Sequence, residues 1–260
     1  MNGRGEIMKM ALGQIEIVWE DKKRNMEKLE KFVEKAKTLE ADIVLFPEMS
    51  LTGFSMNIEK VASNDAPKWL MQISKKYEIY IGAGYVEMKN GKGLNKYVIV
   101  SPDDIVCLYT KIHLFSPGGE DKYYIPGKEI VTCSIMDVNI TLFICYDLRF
   151  PYIFQAASKS MDVFVIPANW PEKRREHWLT LLKARAIENQ CYVLGINRVG
   201  KDPKTSYSGD TTVFGPWGEE FGRLSFTEGL LIVDVDPIKV KEVREKFPVF
   251  RDRRINLWCK

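Results

Sequence analysis

Cys145 ends the apolar run Thr141-Leu142-Phe143-Ile144 and is followed at once by Tyr146, Asp147, Leu148, Arg149, Phe150 and Pro151. Free cysteine is among the most buried residue types, and the plain reading is a core side chain. Its position argues for more. The charges at Asp147 and Arg149 show the chain leaving the core there, and in α/β proteins catalytic groups gather where strands end. A nucleophilic cysteine needs a base and a group that holds the developing oxyanion. Two other strand ends offer candidates: Glu48, directly after Phe46-Pro47, and Lys111, between Tyr109-Thr110 and Ile112-His113-Leu114-Phe115. Either alone reads as a surface or snorkelling side chain. A Glu, a Lys and a Cys at three strand ends are harder to dismiss together.

The elements that must position them follow from hydrophobic periodicity. Lys9 to Gln14 predicts a first strand. Met26, Leu29, Phe32, Val33 and Ala36 mark one face of a helix over 23–39. Ile43 to Phe46 reads as a buried strand ending at Pro47, and Pro67 opens a helix. Tyr80 to Gly84, a turn at Asn90-Gly91 and Ile105 to Tyr109 follow. The second half repeats the rhythm. Strand 141–145 leads to a helix from Pro151, then come strand 163–166, helix 174–189 and strands over 191–197, 211–214 and 230–235. Strands and helices alternate with hairpins inserted, so this is not a pure βαβ series. No linker or repeat interrupts residues 1–260, which read as one domain with a leader over 1–7 and an extended tail over 247–260.

Composition narrows the function classes. A chain of 260 residues with 45% apolar and 28% charged residues is that of an ordinary soluble globular protein. The net charge of +3 argues against a dedicated nucleic-acid binder, and no apolar run approaches a membrane span. Five scattered cysteines with no CxxC pair fit a reducing compartment, the cytoplasm. The two histidines, His113 and His177, have no ligand-spaced cysteine, which argues against zinc.

Phe-Pro-Glu-Met-Ser-Leu-Thr-Gly (46–53), Lys-Ile-His-Leu-Phe (111–115) and Cys-Tyr-Asp-Leu-Arg-Phe-Pro (145–151) resemble the three signature blocks of the nitrilase, or carbon–nitrogen hydrolase, superfamily in order and separation. The resemblance runs from about Met8 to Leu257. It implies an α/β fold, a four-layer αββα sandwich, with a triad of Glu48, Lys111 and Cys145 and neither metal nor organic cofactor. Glu120, nine residues after Lys111, falls where that family often places a second active-site glutamate. In these roles Glu48 takes the thiol proton, later protonates departing ammonia and activates the hydrolytic water. Lys111 and the backbone N–H of Tyr146 hold the oxyanion, and the lysine cation is expected to favour the thiolate.

Asn169-Trp170-Pro171, Trp178, the segment 182–190, Asn197-Arg198-Val199-Gly200, Tyr207-Ser208-Gly209-Asp210 and Glu245-Lys246-Phe247-Pro248 look like the ω-amidase branch. That likeness implies a small-molecule amide substrate, the monoamide of a dicarboxylate such as 2-oxoglutaramate or 2-oxosuccinamate, hydrolysed through a thioester. Asn169 is counted with its substrate-binding residues. The free carboxylate then needs a cation, and Arg149 or Arg174 is the candidate; Arg149 has an ion pair with Asp147 or a helix-start contact as its plainer role. Phe54, Tyr123 and Trp170 are expected to line the pocket. The resemblance also implies at least a homodimer, with Phe250, Leu257 and Trp258 reaching a partner or folding back on their own subunit. Four other readings compete: N-carbamoyl-amine hydrolysis, a Cys-His hydrolase using His113 or His177, nucleotide binding at Gly82-Ala83-Gly84, and a non-catalytic scaffold.

Overall fold

The structure, a computed structural model, describes residues 7–254. Leader residues 1–6 and the tail residues Leu257, Trp258 and Cys259 lie outside the described residues. The first half comprises β1 (Met8–Gln14), α1 (Lys22–Thr38), β2 (Ile43–Leu45), a single turn α2 (Ile58–Val61), α3 (Ala66–Tyr77), β3 (Tyr80–Lys89), β4 (Lys92–Val100) and β5 (Ile105–Thr110). After α4 (Glu120–Tyr123) come β6 (Thr132–Ile135), β7 (Val138–Leu142), α5 (Pro151–Ala157), β8 (Val163–Ala168), α6 (Arg175–Asn189) and β9 (Tyr192–Asn197). β10 (Val199–Lys201), β11 (Ser206–Phe214), β12 (Glu220–Ser225), β13 (Gly229–Val235) and α7 (Pro237–Lys246) complete the order.

Two mixed sheets result. One runs β13-β1-β2-β3-β4-β5, parallel only at β1–β2 and β2–β3. The other runs β10-β11-β9-β8-β7-β6, parallel at β7–β8 and β8–β9, with β12 added to β11. The period-two alternation of strands explains the layering. Met10, Leu12, Ile43, Leu45, Tyr97 and Ile99 point inward to join Ile140, Leu142, Val165 and Leu194 of the second sheet in one core. Their neighbours Ala11, Val44, Val98 and Val100 point outward and bury Leu29, Val33 and Ala36 of α1 and Leu70 and Ile73 of α3. On the far side, α6 lays Trp178 and Leu182 against β9 and β11. Helix, sheet, sheet and helix therefore stack as the four expected layers.

Local chemistry sets the boundaries. Asp21 caps α1 by accepting from Arg24 N–H. Asn90 and Gly91, at φ 52° and 74°, make the left-handed two-residue turn that suits the β3–β4 hairpin. β7 stops three residues short of the expected Cys145. Phe143 still donates to Val165, but the Asp147 carboxylate captures Ile144 N–H and the chain turns out of the sheet. The tail is not wholly extended. Residues Val249–Asp252 form a 3₁₀ turn, Phe250 lies beside the Arg244 and Arg253 guanidiniums, and Arg253 donates to Glu188 O and Asn189 Oδ1. As far as Arg254 it closes on its own subunit. Among the described residues no helix is long and apolar enough to cross a membrane.

Candidate active site

The candidate residues sit at the carboxyl ends of four strands: Glu48 beyond β2, Lys111 beyond β5, Cys145 beyond β7 and Asn169 beyond β8. Each end is held by main-chain geometry. Phe46 N–H donates to Gly82 O, and Pro47 then directs the chain into a turn with Met49 at φ 44°. The Ser50 hydroxyl donates to Pro47 O and accepts from Gly84 N–H, tying that turn to β3. β3 runs so close that a Cβ on Gly84 would lie 2.3 Å from Met49 N and 2.8 Å from Glu48 Cα. The Gly82-Ala83-Gly84 run therefore lets two backbones approach and seats Glu48. It does not cradle a phosphate.

Lys111 and both glutamates are fully buried. Lys111 Nζ donates to Glu48 Oε1 at 2.8 Å and to Glu120 Oε2 at 2.9 Å. Glu48 Oε2 accepts from the Asn169 main-chain N–H at 2.9 Å, and Asn169 Nδ2 donates to Glu48 O at 2.6 Å. Glu120 Oε2 also takes the Phe115 N–H at 2.6 Å. Between the carboxylates lies Asn95 of β4, whose Nδ2 donates to Glu48 Oε1 at 2.8 Å and Glu120 Oε1 at 2.9 Å. Sequence reasoning missed Asn95, since a lone Asn in Leu94-Asn95-Lys96 carries no signal of its own.

Burial alone would raise the Glu48 carboxyl. The Lys111 charge and the hydrogen bonds from Lys111, Asn95 and Asn169 outweigh it and hold Glu48 below the ordinary carboxylate value. Glu120 goes the other way, raised by burial and by the Glu48 charge despite Lys111. Burial opposes the Lys111 ammonium, but Glu120, Glu48 and Cys145 together push it well above its usual value. The Cys145 thiol is also pushed well up, first by burial and then by Glu48 and Glu120, with Lys111 pulling only part of the way back. Lys111 pulls toward the thiolate as expected, but burial and the two carboxylates outweigh it. A thiol held up and a carboxyl held down set a proton donor beside its acceptor.

Cys145 itself has φ 45°, a left-handed conformation that is strained for a residue with a Cβ. Asp147 holds it there. Its carboxylate accepts from Ile144 N–H, from the Tyr109 hydroxyl at 2.8 Å and from His113 N–H at 2.9 Å, and it contacts His113 Nδ1 at 2.8 Å. That one side chain fastens the Cys145 turn to the segment carrying Lys111. Both histidines lie elsewhere: His113 is stacked on Phe150 and His177 meets Arg149. Among the described residues no Cys-His pair forms. Tyr146 is the second residue of the 3₁₀ turn Cys145–Arg149, where main-chain N–H groups are left without helical acceptors.

Cys145 opens onto a cavity of about 680 Å³ that also reaches Glu48, Lys111, Asn169 and Trp170. Phe54 and Tyr146 line it, and Phe115 packs edge-on to Tyr146 at 5.0 Å. Arg149 and Arg174 both reach it, the first over the Trp170 ring at 4.9 Å and the second over Phe115 at 5.3 Å. The Arg149–Asp147 ion pair is not formed, because Asp147 is fully occupied as described. Among the described residues neither guanidinium has a carboxylate within 4 Å. Tyr123 does not line the cavity. It is 47% exposed on α4, and its neighbour Tyr124 is the buried one, donating to Ser55 O.

The family model described as "Carbon-nitrogen hydrolase" matches residues 9–245. The 2-oxoglutaramate amidase of Bacillus subtilis is 34% identical over 252 residues, covering 94% of this chain and 97% of its own. The omega-amidase NIT2 of Homo sapiens is 32% identical, covering 96% of both chains. Among solved structures, XC1258 of Xanthomonas campestris superposes with a TM-score of 0.90 at 28% identity, over 96% of this chain and 98% of that one. It is described as a CN-hydrolase superfamily protein with an arsenic adduct in its active site.

Proposed function

The chain belongs to the carbon–nitrogen hydrolase family, as an amidase of the nitrilase superfamily, and we propose that it is an omega-amidase acting through Cys145, Glu48 and Lys111. The carrying observation is the buried Glu48–Lys111–Glu120 cluster at the cavity onto which Cys145 opens, a cavity that the Arg149 and Arg174 guanidiniums also reach.

In this reading the Cys145 sulfur attacks the amide carbon as its proton passes to Glu48. The ammonium of Lys111 has three donors, of which Glu48 and Glu120 take two. The third, with Tyr146 N–H, meets the oxyanion. Glu48 returns the proton to the nitrogen, ammonia leaves, and a thioester remains. Water then gives a proton to Glu48 as its oxygen attacks the thioester. The carboxylic acid departs and Cys145 takes the proton back. Glu120 keeps Lys111 aimed throughout. Free thiols and this chemistry suit a cytoplasmic setting.

The substrate in this reading is a dicarboxylate monoamide of the 2-oxoglutaramate or 2-oxosuccinamate type. Phe54 and Trp170 form its walls, and Arg149 or Arg174 takes the distal carboxylate. Ammonia release from 2-oxoglutaramate is expected to exceed that from a size-matched amide lacking the carboxylate by about 10²-fold in kcat/KM. Arg149→Met or Arg174→Met should narrow that ratio. Equal kcat/KM for the two substrates would sink the anchor even if hydrolysis survived, and faster turnover of carbamoyl compounds would move the protein to another substrate class.

The protein is also read as a homodimer or larger. Ile187, Trp217 and Phe247 are each about half exposed, and Trp217 stacks on Phe247 with ring centroids 6.0 Å apart. Such an apolar patch favours burial against a second copy. Light scattering should report at least twice the 30.0 kDa chain mass; a single monomeric species at micromolar concentration would end the idea.

A further inference from the structure

We propose that Asn95 is a positioning residue of the triad: by giving one N–H to Glu48 and one to Glu120, it sets the pH below which hydrolysis stops. The inference rests on the amidase reading and adds to it a residue with no reacting atom of its own.

The geometry is specific. Both Nδ2 bonds end on carboxylate oxygens, at 2.8 Å and 2.9 Å, which can only accept when ionised. The amide therefore has one sensible orientation. Asn95 is fully buried, and its main-chain oxygen accepts from Lys111 N–H at 2.9 Å. One residue of β4 thus touches both glutamates and the backbone of the lysine between them. Its register explains how. Asn95 pairs with Val86 of β3, and its neighbour Lys96 pairs with Thr110 at the end of β5. The side chain of Asn95 is thereby placed between the turn carrying Glu48 and the segment carrying Lys111.

The surrounding charges give that bridge its consequence. Glu48 enters from the turn after β2, Lys111 from the end of β5, Glu120 from α4 and Cys145 from the turn after β7. The Tyr124 hydroxyl, from the end of α4, is committed to Ser55 O. Two carboxylates therefore face one ammonium, a net negative cluster of buried side chains. Bonds from a neutral amide are the compensation available without adding another charge. Lost, they leave each carboxylate with one donor fewer, and the pair takes up a proton at higher pH. A protonated pair can neither accept the thiol proton at Glu48 nor hold Lys111 as tightly.

The test compares wild type, Asn95→Ala and the isosteric Asn95→Asp. Two quantities are followed against pH: kcat/KM for ammonia release, and the rate of Cys145 alkylation by iodoacetamide. Asn95→Ala should move the acid limb of kcat/KM up by about one pH unit, the size expected for losing a hydrogen bond to a charged group. Asn95→Asp, which adds a third carboxyl group, should move it further. Below neutral pH, where Glu48 must be ionised to take the thiol proton, the acid limb of alkylation should move up in the same order. A limb unmoved in both variants, whatever the fall in kcat, would reduce Asn95 to a structural role and overturn the proposal. If Asn95→Ala does not fold, Asn95→Asp alone decides in the same way. If wild type hydrolyses no amide, the functional reading fails separately, and the acid limb of alkylation still decides on Asn95.

Discussion

A Cys145→Ala variant should lose amide hydrolysis by at least about 10⁴-fold, because no other group can form the acyl bond. The three other described cysteines should be dispensable for turnover. Cys107 and Cys133 belong to the packing around the core between the sheets, and Cys191 is buried just before β9. Cys191→Ser places a hydroxyl in an apolar site and should cost about 1–3 kcal/mol in stability with kcat retained. The upward shift of the thiol adds a signature. Because burial and two carboxylates push it up, Cys145 alkylation by iodoacetamide should be slow at neutral pH and accelerate as pH rises. A low-pKa thiolate would instead react at a rate nearly independent of pH above neutrality. Ammonia assays on purified variants, with mass spectrometry to locate the alkylated residue, check all of this. Full turnover by Cys145→Ala would remove the thioester mechanism altogether.

Much of this site was legible because its residues announce themselves locally. Glu48, Lys111 and Cys145 each follow an apolar run that ends abruptly, and a charged or nucleophilic residue there is conspicuous in a single sequence. Asn169 was named through the likeness of its Asn-Trp-Pro block to the ω-amidase branch. The inner faces were equally readable, since Ile43 and Leu45 alternate with Val44 in a strand buried on both sides. Residues acting through long-range register were not. Asn95 reaches Glu48 from 47 positions away and Glu120 from 25, and only the β3–β4–β5 pairing brings them together. Asp147 was visible but misassigned. Its proximity to Arg149 suggested an ion pair, whereas the turn delivers it to Tyr109 and His113. Tyr123 failed for a simpler reason: on the single turn of α4, one residue decides which side faces the core, and Tyr124 faces it. The short strands β6, β10 and β12 lack a clean apolar period, as Glu220-Phe221-Gly222-Arg223 shows, because each is half exposed.

Lys111→Met should abolish function and destabilise the fold together. Removing the ammonium takes away an oxyanion donor, worth about 10²–10³ in rate, and the partner that keeps Glu48 ionised. It also leaves Glu48 and Glu120 buried near one another with no cation between them, and breaking a buried pair in this way costs about 3–5 kcal/mol. The loss depends on pH. In wild type the Glu48 carboxyl is held below its unfolded value, so its contribution is present above that value and fades as pH falls through the folded one. Lys111 is raised, and its contribution persists until the solution is more alkaline than an ordinary lysine requires. In the variant both carboxyls are raised, so folding is penalised at neutral pH and the penalty eases as acid protonates them. The gap in urea midpoint between wild type and Lys111→Met should therefore be wide at pH 8 and narrower at pH 5. Adding Glu120→Gln removes one of the stranded charges and should recover part of the stability but none of the hydrolysis. A gap that is the same at both pH values, or a double variant no more stable than the single, would mean that Lys111 is not the charge balancing this cluster.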